Sequence, residues 1–302
     1  MPPVLWTGKL TKSMMLLVNF SNAIAWISGN AKNTAAMKQR VKLGYNAAFS
    51  NHVEKYDALG LDLQRRSAYM QLDEIDFRGK EILDVGCGTG VSSFIALEKG
   101  ASRVICGDIS EYMLDLAKKK ATAAGYDENQ IVFRQLDAEA LPFKDGTFDV
   151  SMTGMTLGLL PDQAKAVSEL ARVTRHGGLV SVGAHGPEHY WEAIDASLRA
   201  ITKRYVLGYR LEWWPLKDFE VEKMLVDVGL TDTRTFRAVW RNDFPSGGAA
   251  YDFFASVSAS YWYAKFPPDK IAADSEKTRN FFERKGVTRI TDDVIFAYGT
   301  KP

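Results

Sequence analysis

The chain is poor in the residues that build covalent staples and metal cages. It has 2 cysteines and 4 histidines in 302 residues. Cys87 and Cys106 have no partners at zinc-ligand spacing and are too few for a disulfide framework, so no metal site and a reducing, cytoplasmic setting are expected. Excess charge is missing too. Lys plus Arg is 38 and Asp plus Glu is 37, a net charge of +1, which leaves no basic footprint for a nucleic-acid partner. No repeat or low-complexity tract is visible. The longest apolar stretch, 14–27, is too short to span a bilayer, is broken by Asn19, Ser21 and Asn22, and lacks a small-residue cleavage site. What remains, 46% hydrophobic and 25% charged residues, is ordinary for a chain with a real core.

Hydrophobic periodicity sets the organisation. Residues 1–78 predict helices at about 9–28, 32–50 and 61–76. In the first, Leu16, Leu17, Phe20, Ile24 and Ile27 recur at helical spacing and predict a face packed on something, as a lid or homodimer helix. A weak membrane-surface helix is the alternative. Residues 79–184 alternate strands (80–85, 102–107, 131–135, 147–153, 178–184) with helices (90–99, 110–124, 161–175), the signature of an α/β, mostly parallel sheet. Residues 186–245 and 248–285 are helical and aromatic, with Tyr190, Trp191, Tyr205, Tyr209, Trp213, Trp214, Tyr251, Phe253, Phe254, Tyr261, Trp262 and Tyr263. These rings would wall an apolar pocket or form core. A helix over 217–228 ends at Gly229, a C-cap signal, and strands are expected near 232–241 and 289–298. The division predicted is a helical lid or dimerisation segment, 1–78, and a catalytic domain, 79–302, whose inserts at 186–285 shape the substrate pocket.

Residues 81–90 read Glu-Ile-Leu-Asp-Val-Gly-Cys-Gly-Thr-Gly. A strand runs into Gly86, Cys87, Gly88 and Gly90, and a helix follows at once. Such a turn brings bare backbone and a helix N-terminus up to a nucleotide. The dinucleotide fingerprint is G-x-G-x-x-G; here it is G-x-G-x-G, preceded by Asp84. A carboxylate there suits a cationic ammonium better than a pyrophosphate, which argues against a nicotinamide oxidoreductase. Asp108 ends the second strand about 20 residues on, where an acid accepts both ribose hydroxyls; a helix N-terminal acid is the alternative. Ile109 and Met113 would then line the purine.

These motifs resemble those of class I S-adenosylmethionine (SAM)-dependent methyltransferases, in particular the ubiquinone/menaquinone-biosynthesis type of small-molecule enzyme. The resemblance covers about residues 45–185 and implies a Rossmann-like seven-stranded sheet whose last two strands form an antiparallel hairpin, with SAM as cofactor and a small-molecule acceptor. It implies that Asp137 and Ala138 meet the adenine edge and that Met152 and Thr153 lie beside the methionine part. Tyr45 and Tyr56-Asp57 are similar to tyrosines that close over that end. The stretch Leu170-Ala171-Arg172-Val173-Thr174-Arg175-His176-Gly177-Gly178 resembles the family's L-x-R-V-L-K-P-G-G, with His176 in place of the usual proline before a turn.

Methyl transfer needs alignment and dryness first, and a base only for an acceptor with a tightly held proton. His185, just past the fifth strand, is the candidate base, with His189 behind it and His52 within reach from the lid. A loop histidine bonded to backbone is the competing reading of His185. The expected reaction is methylation of a small, largely apolar molecule at a phenolic or carboxylic oxygen. The alternatives are carbon methylation of a quinone- or polyketide-like ring and a non-catalytic SAM-binding assembly subunit. No Asn/Asp-Pro-Pro-Tyr motif follows the fourth strand, so methylation of protein or nucleic-acid amino groups is not indicated.

Overall fold

A seven-stranded sheet in the order β3-β2-β1-β4-β5-β7-β6 forms the framework of this computed structural model, which describes residues 8–27, 53–201, 217–259 and 268–302. The strands are β1 Glu81–Val85, β2 Arg103–Asp108, β3 Ile131–Gln135, β4 Phe148–Thr153, β5 Thr174–His185, β6 Thr231–Asp243 and β7 Arg289–Thr300. β1 pairs in parallel with β2 and β4, in the registers Asp84 to Cys106 and Asp84 to Met152. β4 pairs in parallel with β5, and β5 antiparallel with β7, His185 facing Val294. The order reverses between β1 and β4. That switch point opens a crevice at the carboxyl ends of the strands.

The helices are α1 Lys12–Ile27, α2 Val53–Leu72, α3 Val91–Glu98, α4 Glu111–Ala123, α5 Gln163–Val173, α6 Trp191–Ala200, α7 Asp218–Asp227, α8 Gly247–Phe254 and α9 Pro268–Lys285. Their ends follow the sequence. Ser110 caps α4 by accepting the Met113 N–H, and Asp162 caps α5 by accepting that of Lys165. Gly229, at φ +83°, closes α7 with its N–H on the Val226 carbonyl, while Leu230 N–H reaches back to Leu225.

Two units are formed, Met1–Ala48 with Gly186–Pro215 and Ala238–Asp293, and Phe49–His185 with Leu216–Arg237 and Val294–Pro302. In the second, one sheet face buries Leu83, Ile105, Val180, Val182, Ile295 and Ala297 against Val167, Leu170 and Ala171 of α5 and Val221 and Leu225 of α7. Each leucine, isoleucine and valine among them contributes about 1.5–3 kcal/mol. Asp84 and Cys106, neighbours in register, turn to the other face, where Ser93 of α3 hydrogen bonds both. In the first unit the expected pocket aromatics serve largely as core. Tyr190 meets Phe253 and Phe254 edge-on at 5.9 and 6.0 Å, and Tyr251 meets Phe282 at 5.4 Å. Trp191 lines a cavity; Tyr205, Tyr209, Trp213, Trp214, Tyr261, Trp262 and Tyr263 lie outside the described residues, as does the helix expected at 32–50.

Two expectations need correction and two gain detail. Of the stripe expected on α1, Leu16, Phe20 and Ile27 are 74%, 59% and 72% exposed and Leu17 and Ile24 are half-buried, while Met14, Val18, Ser21 and Asn22 are buried. The polar pair Ser21 and Asn22 completes an i, i+4, i+7, i+8 face that a purely apolar count overlooks. The helix expected at 61–76 runs from Val53 to Leu72. β5 begins at Thr174, so His176 sits inside a bulged strand start, where Gly177 at φ +75° donates to the Lys301 carbonyl. Within the helical segment expected across 248–285, α8 passes into a π-turn at Ala255–Ala259.

Candidate active site

The carboxyl ends of β1, β2 and β4 hold the glycine loop in place. Gly86 and Cys87 both donate their N–H groups to the Gly107 carbonyl, at 2.7 and 3.0 Å, and Gly90 N–H closes the turn on the Cys87 carbonyl. Gly86 has to be glycine: at φ +71° an added Cβ would stand 2.5 Å from the Thr156 side chain. Thr156 Oγ1 in turn donates to the Gly86 carbonyl at 3.1 Å, so the segment after β4 presses on the loop. Gly88 differs. Nothing lies within 4 Å of its missing Cβ, which leaves bare backbone facing open space.

Asp108 braces that backbone. One carboxylate oxygen accepts Gly88 N–H at 2.9 Å and the other accepts Ser110 N–H at 2.9 Å. Burial pushes its carboxyl upward, against those amide bonds. Ile109 is half-buried next to it, its carbonyl accepting from the Gln135 side chain at 3.0 Å, and Met113 is buried in α4. Across the crevice Asp137 accepts the Glu139 N–H at 3.0 Å, an Asx turn at the end of β3, and Ala138 is buried behind it.

Asp84 is 1% exposed beneath the loop. Ser93 Oγ donates to its Oδ2 at 2.7 Å, and its Oδ1 has no hydrogen-bond partner among the described residues. Desolvation raises this carboxyl to about 7. Met152 and Thr153, at the end of β4, are both buried, and Thr153 Oγ1 is likewise without a partner among the described residues.

Sequence reasoning missed the buttress. Asp57 of α2 accepts Thr89 Oγ1 from within the glycine loop at 2.5 Å and pairs with Lys120 of α4 at 2.8 Å. Tyr56, next in line, is held un-ionised by burial and then by the charges of Asp108 and Asp57. The dipeptide had drawn notice for its tyrosine; the aspartate's role has no signal in a linear pattern, because both partners lie more than 30 residues away. Gln71 of α2 is a second tie, donating to the Thr153 carbonyl at 3.1 Å and to Ser181 Oγ at 3.0 Å. Tyr45 and His52 lie outside the described residues.

His185 ends β5, and burial pulls its imidazole down to about 4, so it is neutral at ordinary pH. His189 belongs to the other unit. It is 1% exposed, with Nδ1 3.1 Å from the Asp293 carbonyl oxygen and 3.2 Å from its amide nitrogen, and its ring lies 3.9 Å from that of Tyr190. Among the described residues no group of His, Cys, Asp and Glu could hold a metal ion, and no helix is long and apolar enough to cross a membrane.

The residues fit SAM. A buried carboxylate oxygen lacking a donor suits an ammonium, an acid braced by amides suits a ribose diol, and open glycine backbone admits a close ligand. The comparisons agree. A family model described as "Methyltransferase domain" matches residues 83–182. Phosphatidylethanolamine N-methyltransferase of Cereibacter sphaeroides is 31% identical over 156 residues, 52% of this chain and 72% of that protein. Demethylmenaquinone methyltransferase of Lactococcus lactis is 35% identical over 157 residues, 50% of this chain and 60% of that protein. The chain spans about half the length of three further curated relatives, from mycobacteria. The YcgJ protein of Bacillus shares the fold at a TM-score of 0.53 and 20% identity, over 78% of this chain and 98% of its own. With its strand order, glycine loop and paired acids, this chain belongs to the class I SAM-dependent methyltransferases.

Proposed function

We propose that the protein transfers the methyl group of SAM to a small, largely apolar acceptor, at the oxygen of a phenol or carboxylic acid. SAM supplies a methyl on a sulfonium centre, open to in-line displacement. The observation carrying the cofactor assignment is the pair of acids at the loop, buried Asp84 with an oxygen unpartnered among the described residues and half-buried Asp108 fixed by two amides. Asp84 would accept from the ammonium and Asp108 from the ribose hydroxyls. Ile109, Met113, Asp137 and Ala138 would enclose the adenine, with Met152 and Thr153 beside the methionine part. For a phenol, the neutral His185 would take the hydroxyl proton; a carboxylate acceptor needs no base. Two buried thiols, Cys87 and Cys106, suit a reducing, cytoplasmic setting.

Carbon methylation of a quinone-like ring is the second reading, supported by the name of the Lactococcus relative. Methyl-labelled SAM offered with a panel of phenols, carboxylic acids and quinols tests all of this. Label on oxygen supports the proposal, and label on a ring carbon replaces it with the second reading. Calorimetry of Asp108→Ala tests the cofactor site: SAM binding should weaken by about 1–3 kcal/mol, and unchanged affinity refutes the ribose role. Tight SAM binding without transfer to any acceptor indicates an assembly subunit.

A further inference from the structure

The unit formed by 1–48, 186–215 and 238–293 has a cavity of its own. It measures about 1210 Å³ and lies among α1, α6, α9 and the turn from Gly286 to Arg289. Small-molecule sites run to about 1,000 Å³, so it is large enough for a whole ligand. Its walls are mainly apolar: Met14 and Leu17 from α1, Trp191 and Ala196 from α6, Phe281 from α9, and Val287.

The charges around it are nearly all engaged by the chain itself. Asp195 accepts Thr11 N–H at 3.0 Å and Thr11 Oγ1 at 2.7 Å on one oxygen, and Arg199 Nε at 2.6 Å on the other. Glu192 accepts the Thr291 hydroxyl at 2.6 Å and its N–H at 2.9 Å. Arg289 pairs with Asp243 at 2.7 Å. Lys285, the last residue of α9, makes no hydrogen bond or ion pair among the described residues, and it lines the same cavity. A second cation stands close by, Lys9 Nζ lying 4.7 Å above the Trp191 ring while paired with Glu188. An apolar chamber whose one uncommitted charge, among the described residues, is positive favours an apolar molecule with a negative end.

We propose that this cavity binds an amphiphile with an apolar body and a single anionic head group, the head at Lys285 and the body against Trp191, Leu17 and Phe281. The site stands apart from the SAM reading and does not depend on it.

Calorimetric titration of the whole chain with decanoate, and in parallel with decyltrimethylammonium, tests it. Decanoate should bind one to one, at least about 10-fold more tightly than the cation of equal chain length. Lys285→Met, an exposed change with little bearing on folding, should cost decanoate about 10-fold or more while leaving the melting temperature and SAM binding in place. Leu17→Glu sets a carboxylate on the wall where the apolar body lies and should weaken decanoate binding about 10-fold or more; if that variant is unfolded, the Lys285→Met result decides. No decanoate binding, equal binding of the two amphiphiles, a Lys285→Met protein that binds as before, or a folded Leu17→Glu protein that binds as tightly as the parent would each overturn the proposal.

Discussion

Asp57 and Thr89 lie 32 positions apart and share a hydrogen bond of 2.5 Å, which ties helix α2 to the glycine loop. Lys120 closes the triangle at 2.8 Å from Asp57 and 3.4 Å from Thr89 Oγ1. The pair is partly shielded, with side-chain exposures of 18% and 27%, so it is worth more than a surface ion pair. Asp57→Ala should therefore weaken SAM binding by about 1–2 kcal/mol without touching any group proposed to contact the ligand. Calorimetry reads this directly. Affinity equal to the parent's would show that the sheet-side bonds to Gly107 suffice.

Asp84 carries a stability signature with a definite sign. Its native carboxyl sits at about 7, above an ordinary value of 3.8, so the folded chain binds this proton more tightly than the unfolded one. The benefit is whole below pH 3.8 and is lost as pH rises through about 7. Asp84→Asn removes the buried charge. It should raise the stability of the ligand-free protein by about 1–3 kcal/mol at pH 8, seen in urea melts, and weaken SAM binding. A variant destabilised at pH 8 would contradict the burial argument.

His185 has the opposite sign. Its imidazole titrates near 4 when folded, against 6.5 ordinarily. The contribution is present above pH 6.5 and disappears as pH falls through about 4. If it is the base for a phenol, kcat/KM should show no inflection near 6.5, and His185→Ala should lower turnover about 10²–10⁴-fold with SAM affinity intact. A profile breaking at 6.5 would assign the base elsewhere.

Leu170 of α5 is fully buried against the sheet. Leu170→Ala should cost about 2–5 kcal/mol, the scale of a cavity that its neighbours cannot refill. A shift in denaturant midpoint gives the value. A cost below about 1 kcal/mol would mean that α7 and β5 collapse onto the gap.

Much of this was legible in the linear chain. The parallel α/β core announced itself because strand and helix periods alternate cleanly from Ile82 to Val182, and Gly229 marked the end of α7. The glycine loop was legible because Gly86 and Gly88 need positive φ, which few other residues tolerate. The rest was hidden for reasons of reach. Asp57, Thr89 and Lys120 meet only in three dimensions. On α1 a count of apolar residues passes over Ser21 and Asn22, which are buried despite being polar. His189 resembles His185 as a residue type, and only the fold tells them apart: the Asp293 backbone lies beside His189, while His185 is paired with Val294.

The chain weaves between its two units instead of completing one before starting the next. β6 crosses from one to the other near Arg237, and β7 crosses near Asp293. No single cut therefore liberates either unit whole: stopping at His185 would strip two strands from the sheet and leave β5 with an unsatisfied edge. Dissecting this protein genetically calls for internal loop replacement, not truncation, and terminal deletions past Lys285 should yield insoluble material.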